Sequence, residues 1–466
     1  MNHPHRSDTP PAPAEETPGG VIGFAAAAVL VGALTGLVTG SFTLVLKVAA
    51  SVRNSLVRWG NGHSVPGLLL TMAACSAAAV VAAAVVRRIE PHAEGSGIPR
   101  TEAVVDGRIA PGSPLILPVK FLSGTLAIGA GLALGREGPS VQMGGNIGII
   151  VSRLTRRNRA DLRLLVAAGA AAGLTTAFNA PIAGGVFILE ELVKKFEPRT
   201  AVATLLASGS GFLAATLITG SSGPDFTTVP MGSPSVRHLP IILLVGLLAG
   251  LLGVAYNKMV LGGLKVVDGS RLPPEFWGGA IGALVGAIAF VAPDLVGGGD
   301  PLTQRALLSE GSIAVVAGIL VARMALGVVS YSAATSGGLF APMLVVGSHL
   351  GLLVGLVAQL VVPQWTPQPA ELALIGMAAL FTATVRAPIT GIVLATELTG
   401  ASGQLPPMLG ACAVAMVVAG WLHSRPIYDA LADRSAAAAQ QNAAESKARR
   451  SESRGSYEGD VTPSGR

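Results

Sequence analysis

Apolar stretches of membrane-spanning length recur along most of the chain, from Val21 to Leu422. Roughly a dozen can be counted, and one bilayer-spanning helix needs about 20 such residues. Of the 466 residues, 51% are hydrophobic and only 12% are charged, which excludes a water-soluble protein. The pattern therefore predicts an all-α polytopic membrane protein.

Glycine and proline are spread through these apolar stretches and are not confined to linkers. The chain has 60 glycines and 31 prolines. A membrane tolerates a broken helix only where the freed backbone groups are buried in protein or line an aqueous path. The composition therefore predicts broken helices that pack closely around a polar route.

Residues 135–140, with the sequence GREGPS, place two charged side chains within one apolar stretch. An ionised side chain at mid-membrane depth costs roughly 2.5–3.5 kcal/mol, so it is functional by default. Pro139 suits the first turn of a helix, and a helix that begins here directs unpaired N–H groups and the positive end of its dipole inward. We expect an anion site, in which the Glu137 carboxylate replaces a mobile anion and leaves when it is protonated.

Two further segments have the same form. Residues 95–99 (GSGIP) and 337–342 (GGLFAP) each combine glycines with a proline that can open a helix. We expect these segments to supply the other walls of the anion site. The Lys120 and Arg136 side chains could raise the anion concentration from nearby.

The second half of the chain repeats part of the first. Residues 178–184 (FNAPIAG) correspond to residues 385–391 (VRAPITG) at an offset of 207 positions, and Glu190 corresponds to Glu397 at the same offset. Two homologous halves with interrupted helices in corresponding places are typical of transporters, with the site between the repeats.

This repeat predicts the organisation of the chain. Repeat 1 covers about residues 20–230 and repeat 2 about residues 236–433. Residues 1–19 read as a disordered tail, and residues 434–466 as a frayed helix and disordered tail. Basic segments such as residues 153–163 indicate the cytoplasmic side. We expect a multi-pass protein of the cell inner (plasma) membrane with both termini in the cytoplasm.

The motifs carry a family resemblance. GSGIP at 95–99, GREGP at 135–139, GLFAP at 338–342 and the late Tyr428 resemble the signature elements of the CLC chloride channels and chloride/proton antiporters. The resemblance implies a CLC-type fold with two inverted structural repeats and broken helices, and a homodimer with one anion path per subunit. We expect no C-terminal cystathionine-synthase-type (CBS) domains, as in the compact bacterial exchangers.

The resemblance also implies a role for individual residues. Five would bind the anion through a hydroxyl or a backbone N–H group: Ser96, Gly138, Leu339, Phe340 and Tyr428. Glu137 would be the gating glutamate, and Glu191 would transfer protons on the inner side. One departure is Arg100, which directly follows GSGIP where many relatives carry glutamate.

Two functions remain open at this point. A secondary active transporter would exchange chloride for protons, whereas a passive chloride channel, gated by voltage or pH, would move chloride alone. Glu191 favours the exchanger, because the channel branch usually lacks an acid there. Several residues also have purely structural alternatives: Ser96 as a helix cap, Tyr428 as an interfacial anchor, Phe340 as core packing and Glu190 as a membrane-edge charge.

An enzymatic function is not supported by the sequence. The seven histidines show no metal-ligand spacing, and neither Cys75 nor Cys412 has a partner nearby in the sequence. Residues 135–140 lack the Lys-Ser/Thr pair of a phosphate-binding loop. We expect no metal or cofactor, and chloride, protons and the lipid bilayer as partners. The net charge of +6 lies largely in short segments beside the membrane, so no nucleic acid is expected.

Overall fold

The computed structural model describes residues 18–194, 196–221, 223–232 and 235–436. Within these ranges the chain forms seventeen α-helices and no β-strand. The helices are α1 (Pro18–Asn61), α2 (Ser64–Ile89), α3 (Ile98–Val105), α4 (Ile116–Gly129), α5 (Glu137–Leu154), α6 (Arg159–Phe178), α7 (Pro181–Phe187), α8 (Pro198–Thr219), α9 (Leu239–Asp268), α10 (Pro274–Val291), α11 (Asp300–Leu307), α12 (Ile313–Tyr331), α13 (Phe340–Val361), α14 (Pro369–Val385), α15 (Pro388–Thr399), α16 (Leu405–Trp421) and α17 (residues 427–436). A π-helical turn, Ile188–Leu192, continues α7.

Nine of the described helices are long and apolar enough to cross a membrane. Three more are apolar but shorter: Ile116–Gly129, Pro369–Val385 and Pro388–Thr399. At 1.5 Å per residue, the last of these covers about 18 Å of a hydrocarbon core about 30 Å thick, so it ends inside the membrane. The prediction of an all-α polytopic membrane protein with broken helices is confirmed.

Most of the predicted tails lies outside the described residues. Residues 1–17 and 437–466 belong to those tails, so the structure does not describe these parts of them. In the described part, α1 begins at Pro18, and α17 continues to residue 436, within the segment predicted to be a frayed helix. An ion pair of 2.6 Å between Arg434 and Asp268 holds the end of α17 against α9.

The two halves of the chain have matching helix pairs. In the first half α5 packs along α6 and α1 along α8, and in the second half α13 packs along α14 and α9 along α16. The ends of α6 and α14 also match. Asn179 and Arg386, 207 positions apart, both adopt left-handed backbone at the helix end, with φ of 54° and 75°. This confirms the internal repeat.

Glycines allow the same close helix contact in each half. A Cβ atom added at Gly144 of α5 would collide with the carbonyl oxygen of Gly169 on α6. A Cβ atom added at Gly347 of α13 would lie 2.6 Å from the carbonyl oxygen of Gly376 on α14. Such contacts between small residues stabilise membrane helix pairs through dispersion and weak hydrogen bonds. The many glycines of the sequence are explained in part by this packing.

Two glutamates show that the repeats are inverted. The Glu190 carboxylate accepts hydrogen bonds from the backbone N–H groups of Ile389 (3.0 Å) and Thr390 (2.7 Å) at the start of α15. The Glu397 carboxylate, near the end of α15, accepts from Ile182 (3.0 Å) and the next residue at the start of α7. The end of each helix therefore meets the start of the other, so α7 and α15 run antiparallel.

Candidate anion and proton site

Backbone hydrogen bonds join the three glycine-rich segments. Gly95 donates to the Thr335 carbonyl (2.9 Å) and accepts from Gly337 (3.1 Å). Gly135 and Gly338 donate to each other's carbonyl oxygen at 2.8 Å in both directions. The segment before α13 thus holds the segments before α3 and α5, and three helix N-termini meet at one place.

Two buried hydroxyl groups have no hydrogen-bond partner: that of Ser96 lies at this meeting place, and that of Tyr428 is close enough to Glu137 to interact with it electrostatically. Ser96 is 1% exposed and Tyr428 is fully buried, and neither side-chain oxygen has a hydrogen-bond partner. Gly138 brings the Ser96 hydroxyl against the first turn of α5, since a Cβ atom at position 138 would collide with Ser96 Oγ. Buried polar atoms are nearly always paired, so two orphan hydroxyls require a polar ligand or another special explanation.

The positive end of α13 contributes neutral donors. Leu339 precedes α13 and Phe340 is its first residue, and both are fully buried. The Phe340 ring packs against the rings of Phe178, Phe187 and Phe381, with centroids 5.1, 5.5 and 4.5 Å away. The ring is therefore part of an aromatic cluster, and only the backbone at this helix start can donate to an anion.

The Glu137 carboxylate lies at the start of a helix in the other repeat. Glu137 is the first residue of α5 and is 2% exposed. Its Oε2 atom accepts a hydrogen bond of 3.4 Å from the backbone N–H of Ala341, in the first turn of α13. An anionic group is stabilised at such a helix start by unpaired N–H groups and by the dipole. The carboxylate thus occupies the kind of position that a mobile anion would take.

The two cations predicted to concentrate anions behave differently. Arg136 lines an open vestibule of about 240 Å³ together with Glu137, Lys47 and Arg53. Lys120 is fully buried, and its ammonium donates to the carbonyl groups of the loop before α3. Its charged end is therefore directed to these carbonyl groups, and the effect of Lys120 on the local anion concentration stays a prediction.

Glu190 and Glu191 are neighbours with different surroundings. Glu191 is 4% exposed, and its Oε1 atom has no hydrogen-bond partner. Glu190 is directed to the start of α15, so its interpretation as a membrane-edge charge is wrong: it caps a helix. Both lie on the π-helical turn Ile188–Leu192, and single π-turns within helices often occur at functional sites.

A charged cluster lies close to Glu191. The Lys194 ammonium donates to Glu102 of α3 (3.1 Å) and to Asp429 of α17 (3.0 Å), and Arg108 also pairs with Glu102 at 3.2 Å. Partial burial disfavours the charged form of Lys194, but the hydrogen bonds to Asp429 and Glu102 outweigh this effect and raise the pKa of Lys194. We call these four residues the inner cluster. It connects the helix of the Ser96 motif with the helix of Tyr428.

Comparisons with known proteins decide the family. Residues 77–420 match the family model described as "voltage gated chloride channel". The chain belongs to the CLC family. It is 36% identical over 424 residues to an H⁺/Cl⁻ exchange transporter, ClcA, of Cronobacter sakazakii, covering 87% of this chain and 90% of that protein. The ClcA transporter of Vibrio parahaemolyticus is 34% identical over 414 residues, covering 87% and 88%.

Solved structures agree with this assignment. A slow cyanobacterial Cl⁻/H⁺ antiporter superposes with a TM-score of 0.84 at 30% identity, covering 89% of this chain and 98% of that one. A CLC-type fluoride/proton antiporter superposes with a TM-score of 0.73 at 20% identity, covering 87% and 97%, and supports the fold alone. The predicted CLC-type fold is confirmed.

One motif of this CLC chain was missed in the sequence. Residues 297–301 (GGGDP) repeat the G-x-G-x-P form of residues 95–99 and precede α11 as the earlier motif precedes α3. Gly97 and Gly299 hold equivalent left-handed positions, with φ of 80° and 96°. The signal was available, because the two motifs lie 202 positions apart, close to the offsets of the other repeated segments.

Two residues of the inner cluster were also missed. Glu102 and Asp429 have ordinary sequence surroundings on helix faces, and only the fold brings both of them to Lys194. Among the described residues no group of His, Cys, Asp and Glu side chains could hold a metal ion. Cys75 and Cys412 are both buried and unpaired.

Proposed function

We propose that this CLC chain is a secondary active transporter that exchanges chloride for protons across the membrane, and not an enzyme. The observation that carries the proposal is the position of the Glu137 carboxylate on the N-terminus of α13, beside the orphan hydroxyls of Ser96 and Tyr428. A titratable group there competes with an anion for the same positive helix end. The relatives named as H⁺/Cl⁻ exchange transporters, and the Cl⁻/H⁺ antiporter structure, support this function.

Chloride would be held by neutral donors. The Ser96 and Tyr428 hydroxyls and the backbone N–H groups of Gly138, Leu339 and Phe340 would donate to it. Each helix N-terminus carries a partial charge of about +0.5, which is milder than a full cation. Rapid transport needs binding that is strong enough to replace water but weak enough for release.

Protonation and deprotonation of Glu137 would couple the movement of chloride to the movement of protons. The ionised carboxylate is attracted to the start of α13, and the neutral acid loses most of this attraction. The acid then moves away, and chloride takes its place. When the proton leaves, the carboxylate returns and displaces the anion. Proton release and anion movement are therefore linked at one side chain.

Glu191 would supply protons from the inner side. It is buried, it has a free carboxylate oxygen, and it lies next to the inner cluster. A carboxyl group in that position can take a proton from water and pass it inward. A passive channel has no use for this second acid, so Glu191 favours the exchanger over the channel.

Flux in liposomes tests the proposal. Purified protein would be reconstituted with an outward chloride gradient and no initial pH gradient, and both ions would be measured. An exchanger moves protons inward against the pH difference that develops, until this difference balances the remaining chloride gradient. A chloride current with no proton movement would instead identify a passive channel.

The distribution of basic residues supports the proposed orientation. The Arg157 guanidinium packs against Gly23 near the start of α1, and that of Arg163 packs against Gly107 beside the inner cluster. This end of the molecule would face the cytoplasm of a cell whose plasma membrane holds the protein, since basic loops remain inside. The vestibule, lined by residues late in α1, would then face outward, and α1 and α17 would begin and end inside.

A homodimer would cover the face formed by α7 and α15. Ile182 and Ile389 are 56% and 57% exposed on this face, and the half-buried Glu190 and Glu397 carboxylates lie beside them. Charged groups near mid-membrane are costly against lipid, and a second copy would shield them. The Ile182→Cys variant should form a cross-linked dimer in membranes. The Leu69→Cys variant on α2 is the exposed control and should not.

A further inference from the structure

Two aspartates share a small cavity with Glu137. The cavity measures about 10 Å³ and is lined by Glu137, Asp225 and Asp300, with the Phe178 and Phe226 rings among its apolar walls. This is room for on the order of one water molecule. Asp225 lies in the loop before α9 and Asp300 is the first residue of α11. Three separate parts of the chain thus bring carboxyl groups to one cavity.

Arg136 holds the two aspartates at this cavity. Its guanidinium lies 3.7 Å from Asp225 Oδ2 and 4.0 Å from Asp300 Oδ2, and its Nε atom donates to the Ala177 carbonyl at 2.9 Å. This hydrogen bond and the two ion pairs fix the Arg136 guanidinium at the wall of the cavity. Burial raises the pKa of the Asp225 carboxyl above its usual value, although the Arg136 charge opposes this effect.

The three acids differ in their access to water. Glu137 is 2% exposed, whereas the side chains of Asp225 and Asp300 are 26% and 57% exposed. Glu137 and Asp300 each line both the cavity and the open vestibule, but of these two only Asp300 is well exposed to water. The order Glu137, Asp225, Asp300 therefore leads from the buried site to water.

We propose that Asp225 and Asp300 accept the proton that Glu137 releases on the vestibule side. The Glu137 carboxylic acid gives its proton to water in the cavity, and that water gives a proton to an aspartate carboxylate. Asp300 then releases it to the vestibule. Each step moves one proton and leaves Glu137 ionised, so no further reactant is needed. The inference rests on the proposed exchange of chloride for protons.

Other charges also act on the pair. The ionisable groups that face the two aspartates or line the vestibule beside them are Lys47, Arg53, Arg136, Glu137, Asp294 and Arg323. Two negative charges in an anion vestibule could alternatively act by repelling chloride. In that case their removal would raise chloride flux whether or not Glu137 can carry a proton. The experiment must therefore be carried out with and without a titratable Glu137.

The Asp225→Asn/Asp300→Asn double variant tests the relay in liposomes, in the natural background and in the Glu137→Gln background. In the natural background we expect proton and chloride flux to fall together by about tenfold, with their ratio unchanged, as for loss of a proton-transfer group. In the Glu137→Gln background, where no proton leaves that site, chloride flux should stay within about twofold, since the anion donors are untouched. Glu310→Gln is the control, because this exposed acid pairs with Arg305 outside both spaces.

The outcomes separate the inference from the function on which it rests. Unchanged flux in the natural background, or an equal change in both backgrounds, would overturn the proton relay. The second result would assign the aspartates to anion repulsion or to folding. If the unmodified protein moves no protons against a gradient, the proposed exchange itself fails, whatever the variants show.

Discussion

Lys120 and Arg323 make equivalent hydrogen bonds to backbone carbonyl groups in the two repeats. Lys120 donates to the carbonyl oxygens of Ala93 (3.0 Å) and Gly95 (2.7 Å). Arg323, 203 positions later and also fully buried, donates to Leu295 and Gly297, both at 2.9 Å. Each cation therefore holds the loop before a short helix, α3 or α11, by its carbonyl groups. Each buried cation thus donates to backbone carbonyl groups that lie outside the α-helices, where no helical N–H group pairs with them.

Removal of Lys120 should destabilise the protein strongly. The Lys120→Met variant removes the charged donor from two carbonyl groups, which keep only the hydrogen bonds from Ser336 and Gly337. A hydrogen bond to a charged group is worth about 1.5–3 kcal/mol. We expect a decrease of roughly 2–5 kcal/mol in the free energy of unfolding, measured by denaturant unfolding in detergent. Lys258→Met is the matched control, since Lys258 is exposed on α9. A Lys120→Met variant as stable as this control would show that the hydrogen bonds contribute nothing.

Glu137 should couple the two ions. The Glu137→Gln variant keeps the size of the side chain but cannot exchange a proton, so chloride flux should continue while proton flux falls to background. Paired chloride and proton measurements in liposomes check this. Chloride accumulation driven by a pH gradient in the Gln variant would exclude Glu137 as the coupling residue.

Ser96 should affect the choice of anion. The Ser96→Ala variant removes one hydroxyl donor but keeps the backbone N–H, which donates to the Tyr331 hydroxyl at 3.3 Å. Chloride is smaller and more strongly hydrated than nitrate and depends more on such donors. We expect the chloride-to-nitrate flux ratio to fall by roughly tenfold, about the value of one hydrogen bond. An unchanged ratio would leave Ser96 with a structural role only.

Glu191 and Glu190 should give different defects. In Glu191→Gln, chloride transport should remain while proton transport is lost, because the inner proton carrier is removed. In Glu190→Gln, the cap of α15 loses its charge, so stability should fall by about 1–2 kcal/mol while the proton-to-chloride ratio is kept. Flux ratios and unfolding curves of both variants separate the two roles. If Glu190→Gln lost proton transport and Glu191→Gln kept it, Glu190 would be the proton carrier and Glu191 the structural residue.

Much of the fold could be predicted, because hydropathy and sequence repeats can be recognised from the order of residues alone. The 207-residue offset placed Asn179 against Arg386 and Glu190 against Glu397 without any coordinates. The interrupted apolar stretch around Glu137 indicated a helix start at that residue, and α5 does begin there. These features could be read from the sequence since each depends on spacing along the chain.

Features that depend on long-range contacts could not be predicted. Glu137 does begin its own helix, as the sequence predicts, but its carboxylate also accepts a hydrogen bond from Ala341, 204 positions later. The carbonyl partners of Lys120 could not be read from its sequence surroundings. The inner cluster around Lys194 combines three elements that are far apart in the sequence. Charge and motif identify such residues, but only the fold assigns their partners.

The exchanged caps of Glu190 and Glu397 have a consequence for folding and for the origin of the chain. Neither half can complete its own short helix, because the carboxylate that caps α7 comes from the second half and the one that caps α15 comes from the first. During synthesis, the start of α7 therefore stays without its capping carboxylate until α15 has been made. A half-length ancestor would have met the same need by pairing with an antiparallel copy of itself, and gene duplication would then have made that pairing permanent within one chain.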